Sequence, residues 1–283
     1  MSNSGLGSHS AVQPADKART LRILVLQMIH DGPPSHPGHP GGSLSAAEIV
    51  ATLYFGVLNV RPEEPGWPDR DRFVLGKGHA APVLYAALAE RGFFPHAWLG
   101  TLRRPGSMLQ GHPDMRKTPG IDISTGSLGQ GLSAAVGMAL AGQMDGRTYR
   151  VFALLSDGEL DEGQIWEAAM AADKYRLGHL TAIVDYNGLQ NDGYTNDIMP
   201  LGDVKAKWAA FGWDVVEADG HDTHALLATL QAPHPGTPRV VLARTTKGKG
   251  VGFMEGKGEW HAAAISDAQL TAALSELVRQ VGK

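Results

Sequence analysis

Val151-Phe152-Ala153-Leu154-Leu155-Ser156-Asp157-Gly158 and Leu180-Thr181-Ala182-Ile183-Val184-Asp185-Tyr186-Asn187-Gly188 decide how this chain is read. Each is an apolar run that stops in oxygen-bearing residues and glycine, and a helical stretch separates the two. Short continuous apolar runs are what strands buried on both faces look like. The pair is a βαβ unit with oxygen donors at the carboxyl ends of both strands. Ligands of open α/β sheets bind at that edge. One Asp, one Asn carbonyl and one loop carbonyl cannot complete an octahedral Mg²⁺ shell unless phosphate oxygens and water join them. The arrangement reads as a metal–diphosphate site. Taken singly, Asp-Gly and Asn-Gly are ordinary turns. Together, at the ends of consecutive strands, they point to a ligand.

Working outward, helical and strand patterns alternate without an interrupting linker. Asp16 to Ile29 has helical periodicity, and a Gly/Pro/His loop follows over Asp31 to Gly42. Ser45 and Glu48 form a capping-box pattern ahead of Ile49, Leu53 and Val57. Arg72 to Leu75, Trp213 to Val216 and Arg239 to Ala243 read as further strands, and Asp222 and Ser266 as helix caps. Gln130 to Gly137 is rich in small residues, which suits close helix packing. The fold class is α/β: a single doubly wound, mostly parallel sheet with helices on both faces, spanning 16–283. Residues 1–15 are Ser/Gly-rich and read as a disordered tail.

Composition excludes several functions. The 283 residues carry a net charge of −4, which favours neither nucleic acid nor a membrane surface. There are no cysteines, so disulfides, thiolate catalysis and zinc–thiolate sites are excluded. No apolar run has membrane-spanning length, and the N-terminus lacks the basic and apolar regions of a signal peptide. A cytoplasmic location is expected.

Four histidines sit in glycine-rich or aromatic loops: His39 in Gly38-His39-Pro40-Gly41-Gly42, His79 in Gly78-His79-Ala80, His112 in Gly111-His112-Pro113, and His261 in Glu259-Trp260-His261. A lone loop histidine is usually a solvated surface residue. Four in similar contexts suggest a set that donates to phosphates or hydroxyls and moves protons near neutral pH. His36 belongs to a competing His-Pro-Gly copy. The following Gly42-Ser43-Leu44-Ser45 favours His39.

On these residues the chain resembles the N-terminal, diphosphate-binding part of transketolase, from about Leu21 to its end. The resemblance is carried by Gly38-His39-Pro40-Gly41-Gly42-Ser43-Leu44, Arg70-Asp71-Arg72-Phe73-Val74-Leu75 with Gly76-Lys77-Gly78-His79-Ala80, and Gly111-His112-Pro113. It continues through Ser124-Thr125-Gly126-Ser127-Leu128-Gly129-Gln130-Gly131, Asp157-Gly158-Glu159 with Glu162-Gly163, Asn187, and Glu259-Trp260-His261. Ser156 stands where the metal motif usually begins with glycine, a small-for-small change. The resemblance implies thiamine diphosphate with Mg²⁺ (or Ca²⁺). It makes Asp157, Asn187 and the Leu189 carbonyl the metal ligands. Gly158, His79 and His261 become diphosphate contacts, and Gly126 and Leu128 lie against the thiamine rings. His39, His112 and His261 become the catalytic residues facing the sugar. Glu162, counted with the cofactor-binding residues, and Glu167 match acidic positions where two cofactor sites face each other. Both glutamates also fit a simpler reading, because acidic residues in a first helical turn favour the helix dipole.

A full transketolase continues into a pyrimidine-binding domain, which carries the glutamate that activates the cofactor, and a C-terminal domain. The resemblance therefore implies the N-terminal subunit of a split transketolase. Its partner would be a separately encoded C-terminal subunit, in a symmetric α₂β₂ heterotetramer acting on sugar phosphates. Two other readings fit parts of the sequence. One is a subunit of another thiamine-diphosphate enzyme, of the 2-oxo acid dehydrogenase or deoxyxylulose-phosphate synthase type. The other is a non-catalytic cofactor-binding protein.

Overall fold

The computed structural model describes residues 13–233 and 236–279. Five parallel strands form one sheet in the order β1-β2-β3-β5-β4: β1 (Arg72–Leu75), β2 (Val151–Ser156), β3 (Leu180–Tyr186), β4 (Asp214–Asp219) and β5 (Arg239–Arg244). Ten α-helices accompany it among the described residues. They are α1 (Pro14–Asp31), α2 (Pro40–Ser45), α3 (Ala47–Thr52), α4 (Ala81–Arg91), α5 (Gln130–Met144), α6 (Gly163–Lys174), α7 (Thr195–Ile198), α8 (Val204–Ala210), α9 (Thr223–Gln231) and α10 (Asp267–Arg279). None of the described helices is long and apolar enough to cross a membrane.

Strand side chains alternate between the two sheet faces, so a sheet covered on both sides needs apolar residues at every position. That is what β2 supplies. Phe152 and Leu154 enter one core with α1, α3, α4, α9 and α10, whereas Val151, Ala153 and Leu155 enter a second core with α5, α6 and Trp208 of α8. β5 divides likewise, with Val241 and Ala243 on the first side and Val240 and Leu242 on the second. The expectation of a doubly wound sheet is borne out, and all five strands are parallel.

Helix ends follow local chemistry. The Asp222 carboxylate accepts from the His224 and Ala225 amides at the start of α9. Ser266 and Gln269 exchange reciprocal bonds at the start of α10, a capping box. The capping box expected at Ser45 and Glu48 does not form. Ser45 ends α2, and its hydroxyl donates to Asp185 Oδ2 at 2.6 Å and to the Gly42 carbonyl. Glu48 turns instead to Arg22, which grips it with two 2.6 Å bonds. Two buried charges outcompeted a local cap. The tail expected over 1–15 also ends earlier than its assigned boundary. α1 begins at Pro14, a residue pre-shaped for a first helical turn, and residues 1–12 lie outside the described chain.

Candidate active site

Strand register brings the chemistry together. Leu75, Leu154, Ile183 and Val241 lie abreast across β1, β2, β3 and β5, so the four strands end side by side. Asp185, fully buried at the end of β3, collects donors from three other segments. Lys77 after β1, Ser45 of α2 and Thr245 after β5 all donate to its carboxylate. Burial alone would push this carboxyl up. The Lys77 ammonium, helped by the two hydroxyls, holds it below its ordinary value.

Above this anchor lies a pocket that brings together Lys77, Lys247, His79, His261, Asp157, Asn187 and Leu189. Lys77 and Lys247 are 1 % and 2 % exposed, a degree of burial lysine tolerates only with partners. Lys247 Nζ donates to the carbonyls of Gln190 at 2.8 Å and Leu189 at 3.2 Å, and lies 3.0 Å from His261 Nδ1. Burial, reinforced by Lys77, pulls the Lys247 ammonium down to about 8. Asp157 Oδ1 accepts from the Gly158 amide at 2.8 Å, and its other oxygen accepts from Gly188. Burial and the neighbouring Asp185 raise its carboxyl to about 6. Asn187 Oδ1 accepts from the Leu189 amide at 3.1 Å.

These residues fit a metal–diphosphate pair. Two buried ammonium groups suit an anion, and the oxygens of Asp157, Asn187 and Leu189 suit a hard cation. Among the described residues no cluster of three or more His, Cys, Asp or Glu could hold a metal by itself. A metal here depends on oxygens brought by a ligand. The glycines leave the room. A Cβ on Gly42 would come within 3.3 Å of His79 Nε2 and 3.5 Å of Lys77 Nζ. The Gly78 turn lies so close to the 125–126 backbone that a Cβ would meet the Gly126 nitrogen at 2.8 Å.

The four sequence-selected histidines converge. His39 lies 5.3 Å from His79, 5.5 Å from His261 and 6.3 Å from His112, ring centre to ring centre. His79 and His261 are 5.0 Å apart. Burial, then neighbouring positive charge, lowers every one of them: His39 to about 4, His261 to about 3, and His79 well below the usual imidazole value. His112, exposed at the rim, is lowered by partial burial and by Arg103. The lowered values favour the neutral ring in all four, a form with one donor and one acceptor nitrogen. His39 Nδ1 is buried and has no partner among the described residues. His36 is exposed, and its ring Nδ1 lies 3.0 Å from the Ser35 hydroxyl.

Leu128 and Gly158 line the pocket. Gly126 lines an adjoining hollow with Thr125 and Ser127, beside the His112 ring. Glu162 and Glu167 are exposed and lie outside the pocket, at the start and within the first turns of α6. Glu162 packs beside Gly129, where an added Cβ would meet the Glu162 Cβ at 2.7 Å.

Sequence reading missed four functional parts. Lys77 and Lys247 were passed over because lysine is normally a surface residue, although Lys77 sits between two glycines in the motif. Asp185 looks in sequence like part of an apolar run's polar end, and its role as counter-ion depends on residues 108, 140 and 60 positions away. Glu159 was quoted in the motif without a role. It is buried, its carboxylate accepts from the Gly129 amide at 2.9 Å and the Ser156 amide at 3.2 Å, and burial raises it to about 7. It fixes the loop before α5 to the end of β2.

Residues 14–279 match the family described as "Transketolase, thiamine diphosphate binding domain". The chain belongs to the transketolase family. It is 52 % identical to the 6-deoxy-6-sulfo-D-fructose transketolase subunit SqwG of Clostridium sp. (strain MSTE9), covering 96 % of this chain and 99 % of that one. It is 42 % identical to one of the named subunits of apulose-4-phosphate transketolase from Actinobacillus succinogenes, covering 92 % and 94 %. The fold matches transketolase from Campylobacter jejuni with a TM-score of 0.87 and 30 % identity, over 94 % of this chain. The chain spans 42 % of the length of that solved transketolase. The expected family and its diphosphate-binding half are thus borne out.

Proposed function

We propose that this transketolase-family chain is the diphosphate-binding subunit of a two-chain enzyme. The complex transfers a two-carbon ketol unit from a ketose (phosphate) donor to an aldose (phosphate) acceptor. The observation that carries the reading is the pocket itself. Two buried lysines share it with a three-oxygen metal set, and four neutral histidines gather beside it. Lys77, Lys247, His79 and His261 would hold the diphosphate of thiamine diphosphate. Asp157, Asn187 and the Leu189 carbonyl would hold its Mg²⁺ or Ca²⁺. The bound cofactor supplies an electron sink for carbon–carbon cleavage. His39, His112 and His261 orient sugar hydroxyls and take or return their protons, which neutral imidazole suits. Glu162 and Glu167, exposed on α6, suit contacts with another subunit rather than with the cofactor.

Among the described residues lining the pocket, Asp157 is the one carboxylate, and the metal claims it. The group that activates the cofactor must then come from a partner, in keeping with relatives of matching length that are named as subunits. An α₂β₂ assembly in the cytoplasm completes the proposal. The donor panel should include 6-deoxy-6-sulfofructose and apulose 4-phosphate, after those relatives, beside ordinary ketose phosphates. In a coupled assay, this chain alone should give no turnover, and the partner chain should restore it. Robust turnover by this chain alone refutes the two-chain reading. No turnover with the correct partner across the panel favours a non-catalytic cofactor-binding protein.

The histidines should separate by phenotype. His39→Ala and His112→Ala should lower kcat/KM for the sugar about tenfold to a hundredfold, the ~1–3 kcal/mol cost of leaving a sugar hydroxyl without its hydrogen-bond partner. Cofactor affinity should hardly change. His79→Ala should weaken the cofactor instead. His36→Ala should match wild type in steady-state kinetics. Equal defects in His36→Ala and His39→Ala would remove the reason for choosing His39.

A further inference from the structure

A histidine outside the pocket holds one of its walls. His221 lies in the turn between β4 and α9, and its ring is 16 % exposed. The Thr246 amide donates to His221 Nε2 at 2.8 Å. That nitrogen is therefore the acceptor, and Nδ1 carries the proton directed at Glu48 Oε2, 3.0 Å away. Glu48 is in turn held by the two Arg22 bonds described above, and the Arg22 guanidinium also donates to the Leu44 carbonyl at 3.2 Å. The relay runs from α1 through α3 and the β4–α9 turn to the backbone just before Lys247.

The turn is seated for this purpose. Gly220 donates to the Arg244 carbonyl at 2.8 Å, and a Cβ on Gly220 would meet the Thr245 methyl at 2.3 Å. The Asp219 carboxylate accepts from the His221 amide at 2.8 Å, which fixes the ring's starting point. On the other side of Thr246, the Thr245 hydroxyl donates to Asp185, and the Gly248 amide donates to the Gly41 carbonyl at 3.0 Å. Thr246 is the residue of this stretch whose amide is held by a side chain from another loop.

We infer that His221 is a positioning residue: through the Thr246 amide it holds the 245–248 backbone so that Lys247 reaches the diphosphate pocket. The inference rests on the diphosphate reading of that pocket. It makes no claim that His221 touches cofactor or substrate.

The test uses His221→Asn, His221→Gln and His221→Leu in the reconstituted two-chain complex. Asn keeps a donor at the reach of Nδ1, toward Glu48. Gln keeps an acceptor at the reach of Nε2, toward Thr246. Leu keeps neither. Two readouts are taken: calorimetric affinity for thiamine diphosphate with Mg²⁺, and hydrogen exchange of the peptide containing Thr246 in the cofactor-free complex. Asn and Leu should exchange faster at Thr246 and bind about tenfold more weakly, whereas Gln should stay within about threefold of wild type on both. Asn matching wild type, or Gln behaving like Leu, overturns the inference. Should Leu fail to fold, the Asn–Gln contrast still decides. A wild-type complex that binds no thiamine diphosphate defeats the reading of the pocket instead, and the exchange contrast then still tests whether His221 anchors the loop.

Discussion

Asp157→Ala should remove metal-dependent binding of thiamine diphosphate from the reconstituted complex. Asp157 is 1 % exposed and contributes the full negative charge of the proposed metal set, the other two donors being neutral carbonyl oxygens. Without it, a divalent cation beside a diphosphate loses its one charged protein ligand. A further cost is local, because the carboxylate also accepts from the Gly158 and Gly188 amides that shape the two strand-end turns. Affinity in the presence of Mg²⁺ should fall by at least about a hundredfold, equivalent to ~3 kcal/mol. It should approach the value measured for wild type in EDTA. Calorimetry with and without metal provides the comparison. Undiminished affinity in the variant, or unchanged dependence on Mg²⁺, would sink the metal assignment.

Lys77→Met should produce the largest loss of stability. Lys77 and Asp185 are 1 % and 0 % exposed, so the substitution strands a carboxylate in the interior with only the Ser45 and Thr245 hydroxyls and a long contact to Asn187. Removing one partner of a buried pair costs about 3–5 kcal/mol. The double variant Lys77→Met/Asp185→Leu should recover part of that loss, because no uncompensated charge remains. The pH dependence has a definite sign. In wild type, Lys77 keeps Asp185 ionised and its carboxyl low. In Lys77→Met, burial dominates and the folded-state value rises above the unfolded one. The difference from wild type should then shrink as pH falls toward and below 4 and grow as pH rises. Urea denaturation of wild type and the single and double variants at pH 4.5 and 8 measures both effects. A Lys77→Met protein as stable as wild type at pH 8 would show that the pair contributes nothing.

The sheet was legible because its central strands had to be apolar on both faces. The Val151–Leu155 and Leu180–Val184 runs admit few other readings, and their terminal Asp157 and Asn187 fall where a parallel sheet binds ligands. The histidines were legible because each is embedded in a loop of glycines, prolines or aromatic residues, a local feature. What escaped were pairings across long sequence separations. Burial of Lys77 depends on Asp185, that of Glu48 on Arg22 and His221, and that of Glu159 on the Gly129 amide. Propensity and periodicity carry no information about such partners. Ser45 is the instructive error. Its spacing from Glu48 satisfied a helix-cap pattern, but both side chains were taken by charged groups from other elements.

The Asp185 anchor bears on how such an enzyme acquires new substrates. The floor of the pocket depends on one carboxylate that three other segments must satisfy together, so changes there are paid in folding stability. The rim is built differently. Arg103 of the Arg103 to His112 loop donates to the Pro37 carbonyl, and the Tyr85 hydroxyl of α4 lies on the Gln110 and His112 carbonyls, so main-chain oxygens rather than buried charges take these bonds. Side chains there other than His112 can be exchanged without loosening the floor. A scaffold divided in this way is evolvable: its chemistry stays constant while the rim is free to adapt to sugars of different length and terminal charge.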